Sequence, residues 1–140
     1  MAKGFIFDMD GVIVDSEPLY IRVEQELFQE LGLEIAPEKH LLFTGLPIEK
    51  MWDSLKAEFS LSIDIKRQAV LESERLNETL QVPGNVIAIE GIEPLLQELS
   101  RLDFRVGLAS SSPRAQIDLI LGLLGISSFF RCTVGGDEVE

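Results

Sequence analysis

The stretch FIFDMDGVIVDSEP, residues 5–18, joins an apolar triplet directly to a loop rich in carboxylates. Residues 5–7 are apolar without alternation, a pattern typical of a β-strand buried on both faces of a sheet. Asp8 and Asp10 follow where this strand ends, and Gly11 allows the backbone to turn there. Two neighbouring carboxylates repel each other, and burying both without a partner costs several kcal/mol. A divalent cation removes this cost, and aspartate and carbonyl oxygens suit Mg²⁺.

Two plainer explanations of the acidic loop compete with a magnesium site. Asp-Gly pairs are common in solvent-exposed turns, and some acidic loops that contain a glycine bind Ca²⁺. The apolar residues on both sides, 5–7 and 12–14, argue against an exposed turn. The glycine comes too early for a calcium loop, and residues 12–14 stand where ligands are expected. Because Mg²⁺ keeps coordination positions for water and phosphate, the predicted substrate is a small phosphorylated molecule.

The composition is that of a globular protein with a strong acidic excess. Among its 140 residues, 12 Lys and Arg stand against 24 Asp and Glu, which gives a formal net charge of −12. Nucleic acids and anionic membrane surfaces require clustered cations, so neither is expected as a partner. No apolar stretch approaches the roughly 20 residues that span a bilayer. Cys132 is the only cysteine and residues 1–4 lead straight into the first strand, so we expect no secretory signal and a cytoplasmic location.

Hydrophobic periodicity separates a helical segment from an α/β segment. Apolar residues recur at helical spacing in three stretches, residues 16–31, 47–59 and 64–80. The rest of the chain predicts a helix at 92–102, a strand at 104–109, a helix from about 113 to 124 and a strand at 131–134. This order indicates one parallel sheet that is interrupted after its first strand.

The predicted domains are an α/β core from residues 1–15 and 86–140 and a helical cap domain from residues 16–85. Ligands of such sheets bind at the carboxyl ends of the strands, which is where Asp8 is expected. Ser112 followed by Pro113 is typical of an N-cap and a first helical position, so Ser112 is predicted to cap its helix.

Three segments resemble the haloacid dehalogenase superfamily. FDMDGVIVDSE, residues 7–17, is similar to its first motif, and more narrowly to the helically capped branch that contains β-phosphoglucomutase and many small-metabolite phosphatases. LASSS, residues 108–112, resembles the second motif, and VGGDEV, residues 134–139, also resembles the family. The resemblance implies a Rossmann-like α/β core with an α-helical cap inserted after strand one and lying over the end of that strand.

The resemblance also implies roles for individual residues. Asp8 would be the nucleophile that forms an aspartyl-phosphate, and Asp10 the general acid that later acts as base. The cofactor would be Mg²⁺, held by the Asp8 side chain and the Asp10 backbone carbonyl. Ser110, Ser111 and Gly11 would contact the phosphoryl group. The implied reaction is hydrolysis of a small, sugar-phosphate-like phosphomonoester.

Phosphoryl transfer of the β-phosphoglucomutase type is the alternative reaction. Residues 44–48, TGLPI, lack the arginine that the mutase carries in the corresponding cap loop. Residues 18–20, PLY, stand where the mutase has a histidine. Both departures favour a hydrolase. His40, the only histidine, is expected to be a surface or structural residue of the cap.

The family's later motifs, which supply a lysine and further acidic residues, have no counterpart in these 140 residues. The α/β core is therefore expected to be incomplete, with residues 5–7 at an exposed apolar edge that favours self-association. We expect this chain alone to have little or no phosphatase activity. A binding or assembly module is the second interpretation of such a chain.

Overall fold

The computed structural model describes residues 4–43 and 45–139. Residues 1–3, which lead into the first strand, and Thr44, the first residue of the predicted cap loop, lie outside the described residues, as does residue 140. The chain forms two compact units, Met1–Pro18 with Leu80–Glu140 and, separately, Leu19–Thr79. Within the described residues, no helix is long and apolar enough to cross a membrane.

The regular elements confirm an α/β fold with helices inserted after the first strand. In chain order they are β1 (Gly4–Phe7), α1 (Glu17–Glu30), α2 (Pro37–His40), α3 (Ile48–Phe59), α4 (Ile65–Leu80), α5 (Ile92–Arg101), β2 (Arg105–Ala109), α6 (Arg114–Leu123) and β3 (Cys132–Val134). Short 3₁₀ turns follow α2, α6 and β3, at Leu41–Phe43, Ser127–Phe129 and Gly136–Glu138 respectively. The periodicity does not predict α2, because four residues are too few to show an apolar repeat.

The α/β unit contains one parallel sheet in the order β1-β2-β3. Phe7 pairs with Leu108, and Ala109 pairs with Val134. Because the strands are parallel and nearly in step, the residues that follow them lie at one edge of the sheet. That edge is where Asp8 lies.

β1 is an exposed edge strand, as the incomplete core predicts, whereas the burial on both faces that the apolar run alone indicates is wrong. Among the described residues, β1 pairs only with β2. Phe5 is 46% and Ile6 80% exposed, whereas Val106 and Leu108 of the central strand are 3% and 1% exposed. An unbroken apolar run predicts a strand whose side chains are apolar on both faces. Whether these side chains are buried depends on the elements that pack against the strand.

The helical unit has an apolar core with a polar cluster inside it. The rings of Phe28 and Trp52 pack edge to face at 5.6 Å. Trp52 Nε1 donates a hydrogen bond of 2.5 Å to Glu72, whose side chain is 1% exposed. Glu24 pairs with His40. His40 is 5% exposed, so it is a structural residue and does not lie on the surface. Helices α1, α2, α3 and α4 thus each contribute one side chain to these polar contacts.

Burial raises the pKa of Glu72 to about 7, and the negative charge of Glu24 adds to this increase, although the Trp52 hydrogen bond opposes it. The second carboxylate oxygen, Oε1, has no hydrogen-bond partner in the described residues. An unpaired buried oxygen is better tolerated in a neutral carboxylic acid than in a carboxylate. Burial also raises the pKa of Glu24, and His40 opposes that increase.

Replacing Glu72 with Gln should weaken the dependence of folding stability on pH. The ordinary pKa of 4.5 applies to unfolded Glu72 and about 7 to the folded chain, so the folded state holds the proton more tightly. The contribution of Glu72 to stability is then fully present below pH 4.5 and is lost as the pH rises through 7, by roughly 3 kcal/mol at most. Urea denaturation at several pH values should show this loss for the wild type and a smaller one for Glu72→Gln.

Glu74→Gln is the matched control, because Glu74 is an exposed glutamate of the same helix. We expect its pH profile to follow that of the wild type. Equal pH profiles for Glu72→Gln and the wild type would contradict a proton held at this position.

Candidate active site

The acidic loop after β1 is tightly folded and is not a solvated turn. The Met9 side chain is fully buried, and its carbonyl oxygen accepts hydrogen bonds from the backbone N–H groups of three residues, Val12, Ile13 and Val14. Gly11 adopts a φ of 72°, a conformation that side chains with a Cβ resist. Its N–H donates to the Val14 carbonyl oxygen at 2.9 Å, so that donor is used within the loop.

A cavity of about 680 Å³ lies at the carboxyl edge of the sheet. Its lining consists of the residues that end or follow the three strands: Asp8, Ala109, Ser110, Ser111, Val134, Gly135, Gly136 and Val139. Three of the predicted site residues, Asp8, Ser110 and Ser111, therefore lie around one cavity. Asp10 and Gly11 do not line it.

The two aspartates of the loop have different surroundings. The Asp8 side chain is exposed to the cavity, and its Oδ1 accepts a hydrogen bond of 2.7 Å from the Met9 backbone N–H. The Asp10 carboxylate instead accepts hydrogen bonds from serine hydroxyls, at 2.6 Å from Ser16, 3.0 Å from Ser112 and 3.4 Å from Ser110. These contacts hold the Asp10 side chain in one orientation.

Ser112 does not cap its helix, and that prediction is wrong. Its hydroxyl donates to Asp10, and Pro113 occupies the N-cap position without a side-chain hydrogen bond to the helix. The cap comes from a distant segment, because Asp137 Oδ1 accepts a hydrogen bond of 2.8 Å from the Arg114 backbone N–H. A local N-cap pattern could not indicate a partner 23 residues along the chain.

Arg114 is the basic side chain next to the second motif, and it is engaged away from the cavity lining. Its guanidinium donates hydrogen bonds to Asp118 at 3.0 Å, to the Thr133 carbonyl oxygen at 3.1 Å and to Glu138 at 3.4 Å. The hydrogen bond to Asp118 raises the pKa of Arg114 above its usual value. Among the described residues, no lysine or arginine lines the cavity. A bound phosphate dianion would therefore face Asp8 without a neutralising side chain.

The donor set offers a partial fit to Mg²⁺. Magnesium takes oxygen ligands and often uses one or two carboxylates, with waters and substrate phosphate in the remaining positions. Asp8 presents such a carboxylate to the cavity. No group of three or more candidate ligand side chains occurs in the described part of the chain. Because serine hydroxyls occupy the Asp10 carboxylate, its backbone carbonyl is the better candidate for a second ligand.

The chain belongs to the haloacid dehalogenase-like hydrolase family, whose model matches residues 5–140. Among curated relatives, it is 26% identical to a phosphorylated carbohydrates phosphatase of Thermotoga maritima, with 99% of this chain and 63% of the relative covered. It is 28% identical to hexitol phosphatase B of Escherichia coli, with 96% and 60% covered. The chain thus spans less than two thirds of the length of these relatives.

Solved structures show the same fold at low sequence identity. The β-phosphoglucomutase of Clostridium difficile has a TM-score of 0.80 at 23% identity, and the alignment covers 100% of this chain and 64% of that structure. CbbY from Rhodobacter sphaeroides in complex with phosphate has a TM-score of 0.78 at 22% identity, with 99% and 65% covered. Both structures therefore share the fold described above.

Gly136→Ala should destabilise the chain, because a Cβ at this position would collide with the Ser111 carbonyl oxygen. One of the two backbone segments must then move, at a cost of about 1–3 kcal/mol. Urea denaturation measures the change. Gly122→Ala is the matched control, since this exposed glycine of α6 has nothing within 4 Å of its Cβ position. That change should stabilise the chain by about 0.5–1 kcal/mol, and an equal effect of both substitutions would contradict close packing at Gly136.

Proposed function

We propose that this protein is a magnesium-dependent phosphomonoester hydrolase that acts on a small, sugar-phosphate-like metabolite through an aspartyl-phosphate. One observation carries the proposal: the exposed Asp8 carboxylate shares a cavity with Ser110 and Ser111 at the carboxyl edge of the sheet. Membership of a hydrolase family and curated relatives named as phosphatases support it. A substrate at this edge would have its phosphorus close to a carboxylate oxygen, to the Ser111 N–H and to the hydroxyl groups of Ser110 and Ser111.

In the proposed reaction, Asp8 attacks the phosphorus, and an O–P bond forms as the bond to the leaving alkoxide breaks. Asp10, whose carboxylate contacts the hydroxyl of the cavity-lining Ser110, gives its proton to the leaving oxygen, so the product departs as an alcohol. Asp10 then takes a proton from water, which attacks the aspartyl-phosphate and releases inorganic phosphate and free Asp8. Mg²⁺, when bound by Asp8 and the Asp10 backbone carbonyl, would offset the repulsion between the carboxylate and the phosphate.

The hydroxyls around Asp10 suit a group that changes protonation state. A serine hydroxyl can donate a hydrogen bond to a carboxylate and can accept one from a carboxylic acid. Ser16 and Ser112 can therefore stay in contact with Asp10 in both states by rotating their O–H bonds. Ser110 accepts a hydrogen bond of 3.1 Å from the Ser112 backbone N–H, which holds its hydroxyl beside the same carboxylate.

We favour hydrolysis over the mutase reaction. The named phosphatases among the relatives support a hydrolase. The cap loop at residues 44–48 contains no arginine for a distal phosphate. The likeness to β-phosphoglucomutase structures at under 25% identity supports the shared fold and not the shared reaction. Because Cys132 is a free, exposed thiol, we place the protein in a reducing compartment such as the cytoplasm.

Asp8→Asn should abolish magnesium-dependent phosphate release, because an amide is a poor nucleophile. The expected loss is roughly 10³-fold or more, and Asp10→Asn should cost about 10²-fold through loss of the acid and base. Colorimetric phosphate release from a panel of sugar phosphates and polyol phosphates measures both. Since no described cation lines the cavity, turnover by the 140 residues alone is expected to be slow, so the ratio of variant to wild type is decisive.

Asp15→Asn is the matched control, because Asp15 is an exposed aspartate of the same loop and should leave the rate unchanged. An isomeric phosphate ester without phosphate release, detected by ³¹P NMR, would favour the mutase alternative. Undiminished hydrolysis by Asp8→Asn would overturn the proposed mechanism.

We also propose that the chain by itself associates with a second copy through β1. On the side of β1 away from β2, no described strand pairs with its backbone N–H and C=O groups, and the side chains of Phe5 and Ile6 are exposed. An exposed apolar edge strand is a template for pairing with another chain. The exposed strand supports the interpretation of the chain as an assembly module, here as a property secondary to hydrolysis. Such pairing does not involve Asp8.

Ile6→Lys should shift the chain from dimer or larger species to monomer, because a charged side chain disfavours edge pairing. Sedimentation velocity at several concentrations measures the change. Ile87→Lys is the control, because Ile87 is 61% exposed and lies outside the sheet. A wild-type chain that remains monomeric at every concentration would exclude association through β1.

A further inference from the structure

Two loops at the carboxyl edge of the sheet are joined by contacts that no local sequence pattern indicates. The serine loop, residues 110–113, follows β2 and contributes Ser110 and Ser111 to the cavity. The GGDE turn, residues 135–138, follows β3 and contributes Gly135 and Gly136 to the same cavity.

Successive hydrogen bonds connect the two loops. The Ser110 N–H donates to the Val134 carbonyl oxygen at 3.0 Å, which extends the pairing of β2 and β3. The Gly136 N–H donates to the Ser112 carbonyl oxygen at 3.0 Å. The third contact is the cap of α6, in which the Arg114 N–H donates to Asp137 at 2.8 Å. The serine loop is thus held at its beginning, middle and end.

The GGDE turn also holds its own shape. Glu138 Oε2 accepts a hydrogen bond of 2.8 Å from the Gly135 N–H, and Glu138 Oε1 lies 3.4 Å from the Arg114 guanidinium. Both glycines fit where a side chain would not, since a Cβ at Gly135 would lie 2.6 Å from the Arg114 backbone nitrogen. The turn therefore lies directly against the start of α6.

We propose that Asp137 is a positioning residue for the phosphoryl group, acting through the serine loop. This inference rests on the proposed function. Asp137 does not line the cavity, but it fixes the residue at which the serine loop becomes helix. Without this cap, the first turn of α6 loses a hydrogen-bond acceptor, and the loop loses the contact at its end. The Ser111 N–H and the hydroxyl groups of Ser110 and Ser111 would then be less well oriented toward a bound phosphate.

The experiment compares Asp137→Ala and Asp137→Asn in the 140-residue chain, with inorganic phosphate and MgCl₂ as the probe. Asparagine keeps the carbonyl oxygen of an N-cap, whereas alanine removes it. Asp118→Ala is the control, because Asp118 bonds the guanidinium of Arg114 and not its backbone N–H. ¹⁵N NMR follows amide hydrogen exchange at Ser111, Ser112 and Arg114 and the phosphate affinity of the folded chain.

For Asp137→Ala we expect amide exchange at these residues to accelerate about fivefold and phosphate to bind about fivefold more weakly. Asp137→Asn should restore both to within about twofold, and Asp118→Ala should change neither. General destabilisation does not change the affinity of the folded fraction, so the affinity separates positioning from a purely structural role.

Unchanged exchange or unchanged affinity in Asp137→Ala would overturn the inference while leaving the proposed function in place. Failure of the wild-type chain to bind phosphate would instead overturn the proposed function. In that case, amide exchange alone decides whether Asp137 holds the serine loop, and no change at residues 111 and 112 would exclude it.

Discussion

The parallel pairing of β2 with both of its neighbours is the constraint on which the candidate site depends. Backbone ladders place Phe7 beside Leu108 and Ala109 beside Val134, so all three strands end at the same edge. β2 and β3 approach closely at Gly107, where a Cβ would lie 2.9 Å from the Cys132 sulfur and that side chain would have to move. Residues more than 100 positions apart, such as Asp10 and Ser112, then become hydrogen-bond partners.

Electrostatics explains why this edge should depend on an added cation. Asp8 lies exposed in the cavity, Asp10 is held by serine hydroxyls, and Arg114 is engaged by two acidic side chains and a carbonyl oxygen. A phosphate at this position therefore meets an acidic environment in a chain that already carries a net charge of −12. A divalent cation is the simplest group that makes the approach of phosphate to a carboxylate favourable.

The helical unit handles buried charge in a different way. Glu72 is almost completely buried and shares its environment with Glu24, so its pKa rises to about 7 and it keeps its proton at mildly acidic pH. Glu24 is opposite His40, which can balance a carboxylate when it is protonated. Asp8 of the α/β unit therefore remains accessible at a cavity, whereas Glu72 of the helical unit is buried in the core.

The sequence by itself determined the α/β class, the helical insertion and the acidic loop, because these depend on apolar periods, glycine positions and a motif contained in a few adjacent residues. The missing family motifs also predict an exposed edge at residues 5–7, although the apolar run alone indicates burial. Tertiary structure decided how far Phe5 and Ile6 are exposed, since burial of a strand depends on its neighbours in the sheet. It also decided that Ser112 binds Asp10 and that Asp137 caps α6. Local patterns predict local hydrogen bonds, whereas these partners meet only when parallel strands bring distant loops to one edge.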